Sequence, residues 1–180
     1  MFYSHRYPGI LLSARAWGIK RERLSLWENE APPAFRIVLE IPDRRVEQFL
    51  ALGPLQRPLI AGCVVRVARR IGPLMAGLEA LARVLPVAVD TRIPVGDLAA
   101  ALAEIGVGLC GRPADGSAPS GPFAVSLIGK GDRVLLGRAL TALLAVPAPK
   151  GRALFFCEPH TAIRSLEEAQ WLASLLGEKP

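Results

Sequence analysis

The chain has 180 residues, of which 51% are apolar and 21% are charged, and its net charge is +6. This length and composition fit one globular domain with a largely aliphatic core and exclude a disordered or fibrous chain. No uncharged apolar run reaches the length of about 18 residues that a membrane-spanning helix needs, so no membrane association is expected. The 3 cysteines are too far apart for a disulfide framework, and the first residues lack a signal-peptide pattern. Both features favour a reducing, cytoplasmic setting.

The excess positive charge lies in the first two fifths of the chain. Residues 1–72 hold 12 of the 22 Lys and Arg residues and 6 of the 16 Asp and Glu residues, and so carry the whole excess of +6. Residues 13–27 interleave basic side chains with Trp17 and Trp27. Basic residues among aromatics suit phosphate contact combined with base stacking. The alternative is that the tryptophans are core anchors and the charges form a solvated rim.

The first half of the chain predicts strands alternating with helices. Residues 1–33 show no regular pattern and are expected to form an irregular segment. From Phe35 to Ile41 every second residue is apolar, which predicts a strand with one wet face that suits an antiparallel position at a sheet edge. Asp43 is placed to cap a short helix that ends at Leu50. A strand follows over 60–68, and apolar spacings of three, four and seven predict a helix over 71–85.

The second half repeats this alternation. Short apolar runs over 86–90, 106–110, 123–128 and 153–157 predict strands, with helices between them and a closing helix after Ser165. Asp97 and Asp132 are placed to cap two of these helices. Residues 111–121 are rich in Gly, Pro and Ser and predict a flexible loop. Connections of this length between apolar strands are typical of βαβ units, so we predict a single α/β domain over residues 1–180 with a parallel or mixed sheet and helices packed on it.

The main functional prediction is a non-enzymatic binding or assembly protein. Its basic, aromatic-bearing N-terminal surface would contact RNA, DNA or an acidic protein partner, and it could assemble into a homo- or hetero-oligomer. The residues expected on that surface are Arg6, Arg15, Trp17, Lys20, Arg21, Arg23, Arg66, Arg69 and Arg70. For the last three, a solvated strand end is an equally good explanation. A scaffolding or dimerising role is a third option if the apolar face of the 71–85 helix is exposed.

The alternative prediction is a small α/β enzyme or ligand-binding protein. Ligands of open parallel sheets bind at the carboxyl ends of the strands. The residues that the predicted strands would deliver to that edge are Asp90, Cys110, Lys130, Cys157, Glu158 and His160. Each also has a plain explanation, since Asp90 can end a strand, cysteines are usually buried, and Glu158 and His160 fit an exposed loop.

The remaining motifs are weak indicators of chemistry. The loop Gly129–Asp132 lies where a phosphate cradle would lie, but it is shorter than a P-loop and no Ser or Thr follows the lysine, so a tight turn is favoured. Cys157 and His160 are two of the three or four ligands that zinc needs, even if Cys110 were added, so we predict no metal and no cofactor. Cys157 with His160 as its base is the one candidate nucleophile pair. The scarcity of histidine argues against an enzyme without excluding one, and we assign no catalytic residue.

Overall fold

The computed structural model describes residues 9–12, 28–51, 59–94, 96, 98–129, 132–156 and 167–172. The strands within these ranges are β1 (Gly9–Leu12), β2 (Arg36–Pro42), β3 (Ile60–Val67), β4 (Val87–Thr91), β5 (Val107–Gly111), β6 (Ala124–Ile128) and β7 (Arg152–Phe156). The α-helices are α1 (Val46–Ala51), α2 (Met75–Val84), α3 (Leu98–Glu104) and α4 (Arg133–Ala145), and residues 28–30 and 167–172 are also helical. The chain divides into two compact units, Met1–Val95 with Ile105–Val107, and Gly96–Glu104 with Gly108–Pro180.

The first unit contains a parallel sheet in the order β1-β2-β3-β4. Helices α1 and α2 connect β2 to β3 and β3 to β4, so two βαβ units follow each other directly. The strands form because their apolar runs are almost continuous, which is the pattern of parallel strands buried on both faces. The predicted antiparallel edge position of the 35–41 strand is wrong. β2 runs parallel to β1 on one side and β3 on the other, and Val38, on the face predicted to be wet, is buried.

The N-terminal segment is not wholly irregular, because Gly9–Leu12 form β1. Leu11 pairs with Val38 and Leu12 with Leu39. A run of four apolar residues is too short to show alternation, and β1 exists because β2 offers it a partner edge. The irregular segment predicted over 1–33 is therefore corrected at these four residues and at the helical residues 28–30.

The two helices of the first unit bury their apolar faces. Val46 and Phe49 of α1 and Leu78 and Leu81 of α2 are almost completely buried. At Gly77 a Cβ atom would lie 2.9 Å from Cγ1 of Val46, so the absence of a side chain permits the close approach of α1 and α2. The periodic helix predicted over 71–85 is confirmed as a 3-10 turn, Gly72–Leu74, that runs into α2.

The second unit contains the parallel strands β5-β6-β7. β6, α4 and β7 form the βαβ unit that the sequence predicts, and Asp132 caps α4 by accepting a hydrogen bond from the Val134 backbone N–H at 2.8 Å. The apolar cluster here consists of Ile128, Leu136, Ala139, Leu140 and Ala169, with Leu154 and Leu172 packed against it. The closing helix predicted after Ser165 is helical over the described residues 167–172.

Residues 111–121 carry defined local structure. Pro113–Asp115 form a 3-10 turn, and the backbone N–H of Arg112 donates to the carbonyl of Ser117 at 3.0 Å. Leu109 and Ser120 form an antiparallel bridge across the base of the loop. A Cβ atom at Gly108 would overlap the carbonyl oxygen of Phe123, so only glycine permits this closure. The loop follows β5 and is tied back onto it.

The predicted α/β class, with parallel strands, βαβ units and packed helices, is confirmed. In the part of the chain that the structure describes, no helix combines the length and apolarity required to cross a membrane.

Candidate ligand site at the carboxyl ends of the strands

Three charged side chains meet near the carboxyl ends of β2, β3 and β4. Arg66 of β3 lies between two carboxylates, with Nη2 at 3.1 Å from Glu40 Oε2 and Nε at 3.4 Å from Asp90 Oδ2. We call Glu40, Arg66 and Asp90 the charged cluster. All three belong to the first unit.

The register of the parallel strands explains why these side chains meet. Arg66 and Asp90 are direct partners, and Arg66 is also the partner of Pro42, two residues beyond Glu40. Paired residues of parallel strands project from the same face, and so do residues two apart in one strand. Glu40, Arg66 and Asp90 therefore share one face of the sheet. The opposite face carries apolar rows such as Leu39, Cys63 and Val87.

The members of the charged cluster differ in exposure. The side chains of Asp90 and Glu40 are 5% and 15% exposed, whereas that of Arg66 is 48% exposed. Carboxylates this buried are tolerated when a counter-charge lies beside them, and Arg66 supplies it to both. The half-exposed guanidinium is the part of the cluster most open to a molecule arriving from solvent.

The charged cluster has the groups needed to bind and polarise a small polar molecule. Two carboxylates and one guanidinium give it a formal charge of −1. Carboxylates accept hydrogen bonds from hydroxyl or amino groups and can take up a proton during a reaction. A guanidinium has five N–H groups, so the two ion pairs leave Arg66 with donors to spare.

An open groove of about 560 Å³ lies at the same edge of the sheet. It is lined by Asp43, Arg44, Arg69, Arg70, Pro73 and Leu74, which we call the arginine groove. Asp43 and Arg44 directly follow β2, and Arg69 and Arg70 follow β3, so the groove is formed by the loops that leave the carboxyl ends of these strands. Three arginines and one aspartate give its lining a formal charge of +2.

Asp43 holds these two loops together. Its Oδ1 accepts a hydrogen bond from the Arg44 backbone N–H at 2.7 Å, and its Oδ2 accepts one from the Ala68 backbone N–H at 3.2 Å. Asp43 was expected to cap the helix ending at Leu50, but it is the first residue of a 3-10 turn, Asp43–Arg45, whose N-cap is Pro42 and carries no side-chain cap. The carboxylate bridges two strand ends instead.

The predicted edge residues fall partly within the described structure. Asp90 lies at the carboxyl end of β4, as expected, and is held by Arg66. Cys110 is in β5 of the other unit, where it is buried and pairs with Val125. Lys130, Cys157, Glu158 and His160 lie outside the described residues.

The predicted nucleic-acid surface is described only at three of its members. Arg66 is paired with two carboxylates, while Arg69 and Arg70 line the arginine groove. The other members, Arg6, Arg15, Trp17, Lys20, Arg21 and Arg23, lie outside the described residues.

A further cysteine, Cys63, has an unreactive thiol. Cys63 in β3 is fully buried, and this burial raises the pKa of its thiol far above the ordinary value of 9.0. The thiolate is the nucleophilic form of cysteine, so Cys63 is not a nucleophile in the folded protein.

Glu40 is the functional candidate that the strand pattern alone did not find. Its position opposite the apolar face of β2 led to the expectation of a wet surface, yet its side chain is 15% exposed and paired. Comparing neighbouring strands would have indicated Glu40, because three consecutive strands each carry one charged residue within two positions of their carboxyl end. Parallel register brings such residues together.

Comparison with known proteins identifies the fold and no family. No protein-family model matches the chain, and no curated protein matches it. The crystal structure of a DUF72 family protein from Enterococcus faecalis matches with a TM-score of 0.74 and 15% identity over 99% of this chain and 93% of that chain. The crystal structure of orotidine 5′-phosphate decarboxylase from Thermotoga maritima matches with a TM-score of 0.57 and 11% identity, over 95% and 90% of the two chains.

These comparisons correct the main functional prediction. One of the two structures that share this α/β fold is an enzyme, and the shared fold does not support a non-enzymatic nucleic-acid-binding protein. The prediction of a non-enzymatic protein that contacts nucleic acid or an acidic partner through its basic N-terminal surface is therefore wrong. At Arg66, one of the three described members of that surface, the charge is paired with Glu40 and Asp90. The chain shares its α/β fold, over almost its whole length, with these two structures.

Proposed function

We propose that this protein binds a small polar ligand at the carboxyl ends of β2, β3 and β4 and acts on it as an enzyme. The observation that carries the proposal is the ion-paired cluster of Glu40, Arg66 and Asp90 at that edge. Ligands of parallel α/β sheets bind at the carboxyl ends of the strands, and in TIM barrels the catalytic groups come from the ends of several strands. One of the matching structures is an orotidine 5′-phosphate decarboxylase, so the fold is compatible with catalysis on a small molecule.

Each member of the charged cluster has a role in this proposal. Arg66, with its half-exposed guanidinium, orients the ligand through N–H donors. Glu40 and Asp90 accept hydrogen bonds from hydroxyl or amino groups of the ligand, and one of them takes up a proton in the reaction. Asp90 is the more buried carboxylate and is fixed by Arg66, whereas Glu40 is more accessible. We therefore assign proton transfer to Glu40 and a positioning role to Asp90.

The remaining predicted edge residues stay a separate prediction, because Cys110 belongs to the second unit and the others lie outside the described residues. Lys130, Cys157 and His160 follow β6 and β7 in sequence, and Cys110 lies within β5.

We also propose a cytoplasmic location, supported by the separated cysteines and by the buried, unpaired thiol of Cys63.

The test is a binding screen with matched variants. Wild-type protein is screened by thermal shift against sugars, sugar phosphates, hydroxy acids and amino acids, and hits are measured by calorimetry. Glu40→Gln and Arg66→Lys are then compared with Arg83→Gln, which removes an exposed arginine that pairs with Glu79 on α2. Arg66→Lys retains the positive charge beside Asp90 but loses the planar fork of donors.

We expect the two variants at the charged cluster to weaken binding of the hit by about tenfold or more, because hydrogen bonds to charged groups contribute roughly 1.5–3 kcal/mol. Arg83→Gln leaves the affinity unchanged. A hit whose affinity is the same in all three variants would place the ligand elsewhere and would remove the proposal.

A further inference from the structure

We infer that the arginine groove binds the phosphate group of the ligand, so that the protein's natural ligand is a phosphorylated small molecule. The inference rests on the proposed function, since it makes the arginine groove a subsite of the site that contains the charged cluster. It assigns the groove to one chemical class, a phosphate monoester.

The arginine groove is charged in a way that the described protein does not neutralise. Arg44, Arg69 and Arg70 are exposed, and within the described ranges no ion pair or side-chain hydrogen bond engages their guanidinium groups. The one carboxylate in the lining, Asp43, uses one oxygen on the Arg44 backbone N–H and the other on the Ala68 backbone N–H. Asp43 therefore shapes the groove and leaves its three cations available to an anion.

A phosphate monoester suits this lining better than a carboxylate does. It presents three strongly accepting oxygens and close to two negative charges, which match several guanidinium groups at once. A carboxylate has two oxygens and is satisfied by one bidentate arginine. The helical run that begins at Gly72 and continues as α2 starts in this lining with Pro73 and Leu74 and has no side-chain N-cap, so its dipole adds to the attraction.

The arginine groove and the charged cluster are carried by neighbouring residues of the same strand ends. Arg69 follows Arg66 by three residues and Asp43 follows Glu40 by three, and three residues span at most about 11 Å even when fully extended. A sugar-sized molecule can therefore place hydroxyl groups against Glu40 and Asp90 and a phosphate against the arginines. The charges fit this orientation, since the cluster carries −1 and the groove lining +2.

The test uses calorimetric titration of the full chain with inorganic phosphate, glucose 6-phosphate, glucose and a single-stranded oligonucleotide. The variant is Arg69→Gln with Arg70→Gln. The matched control is Arg83→Gln with Arg138→Gln, which removes the same two charges from exposed helix positions outside the groove. We expect phosphate and glucose 6-phosphate to bind the wild type, and their affinity to fall about tenfold or more in the groove variant and less than about twofold in the control.

Four outcomes overturn the inference. Equal losses of affinity in the groove variant and in the control would mean that the phosphate probes are held only by the general positive charge of the protein. Tighter binding of the oligonucleotide than of glucose 6-phosphate would assign the cations to nucleic-acid phosphates. Absence of binding by both phosphate probes, or binding that is indifferent to the groove variant, would leave the groove without a ligand role.

Failure of the proposed function has a different signature. If the charged cluster is not a ligand site, the binding of inorganic phosphate still depends on Arg69 and Arg70. In that case the affinity of no ligand in the screen depends on Glu40 or Arg66. If the groove inference alone is wrong, the screen yields ligands that depend on Glu40 and Arg66 and that bind the groove variant as well as they bind the wild type.

Discussion

Replacing Arg66 by methionine tests whether the charged cluster is a coupled unit. The change removes one counter-charge from Asp90, which is 5% exposed, and from Glu40, whose side chain is 15% exposed. Breaking a fully buried ion pair costs about 3–5 kcal/mol, and an exposed pair contributes at most about 1 kcal/mol. Arg66 is itself 48% exposed, so water offsets part of the loss and we expect a decrease of about 2 kcal/mol in the free energy of unfolding.

Urea unfolding followed by circular dichroism measures this change. If the free energy of unfolding decreases by about 2 kcal/mol per molar urea, the urea midpoint of unfolding should fall by about 1 M. Arg83→Met is the matched control, because Arg83 is 75% exposed and its pair with Glu79 has i,i+4 spacing. Pairs of that kind contribute about 0.3–0.5 kcal/mol, so the control should scarcely move the midpoint.

A double-mutant cycle separates coupling from lost packing. Asp90→Asn removes the buried charge while keeping the shape, so the double variant Arg66→Met with Asp90→Asn should lose at least about 1 kcal/mol less than the sum of the two single variants. Strict additivity of the two single losses would mean that the Arg66 and Asp90 side chains do not stabilise each other.

Further predictions concern three single side chains. Cys63 should resist iodoacetamide in the folded protein and react after unfolding in guanidinium; labelling of the native thiol would contradict its burial. Because burial raises the pKa of this thiol above 9.0, the unfolded chain releases its proton first as the pH rises, and stability should fall above pH 9 more steeply in wild type than in Cys63→Ala, by up to about 1.4 kcal/mol per pH unit. Ser126 has a buried Oγ with no hydrogen-bond partner in the described structure, so Ser126→Ala should raise the free energy of unfolding by about 1 kcal/mol, and a clear loss would reveal a partner. Asp132→Ala removes the cap of α4 and should cost about 1 kcal/mol in urea unfolding, whereas Asp132→Asn should cost less because asparagine also caps.

Much of the fold follows from local patterns in the sequence. The apolar stripe of α2, the strands β3, β4 and β6, and the cap of α4 at Asp132 were all predicted, because each is encoded within about ten consecutive residues. β1 was not predicted, because four apolar residues carry no period and the strand depends on the edge of β2.

The candidate site was only half predictable. Asp90 was found from its place at a strand end, but the roles of Glu40 and Arg66 depend on a pairing register that no single strand contains. Arg66, which the sequence places on a basic surface, is paired with two carboxylates in the structure. Asp43 shows the same effect, since its partner Ala68 is 25 residues away in sequence.

A crystal structure of the protein with the tightest-binding compound from the screen would show whether the ligand binds at the carboxyl ends of β2, β3 and β4. We expect polar ligand atoms within about 3.2 Å of the Arg66 guanidinium and of a carboxylate oxygen of Glu40. A ligand bound at the amino ends of these strands, with the charged cluster untouched, would contradict it.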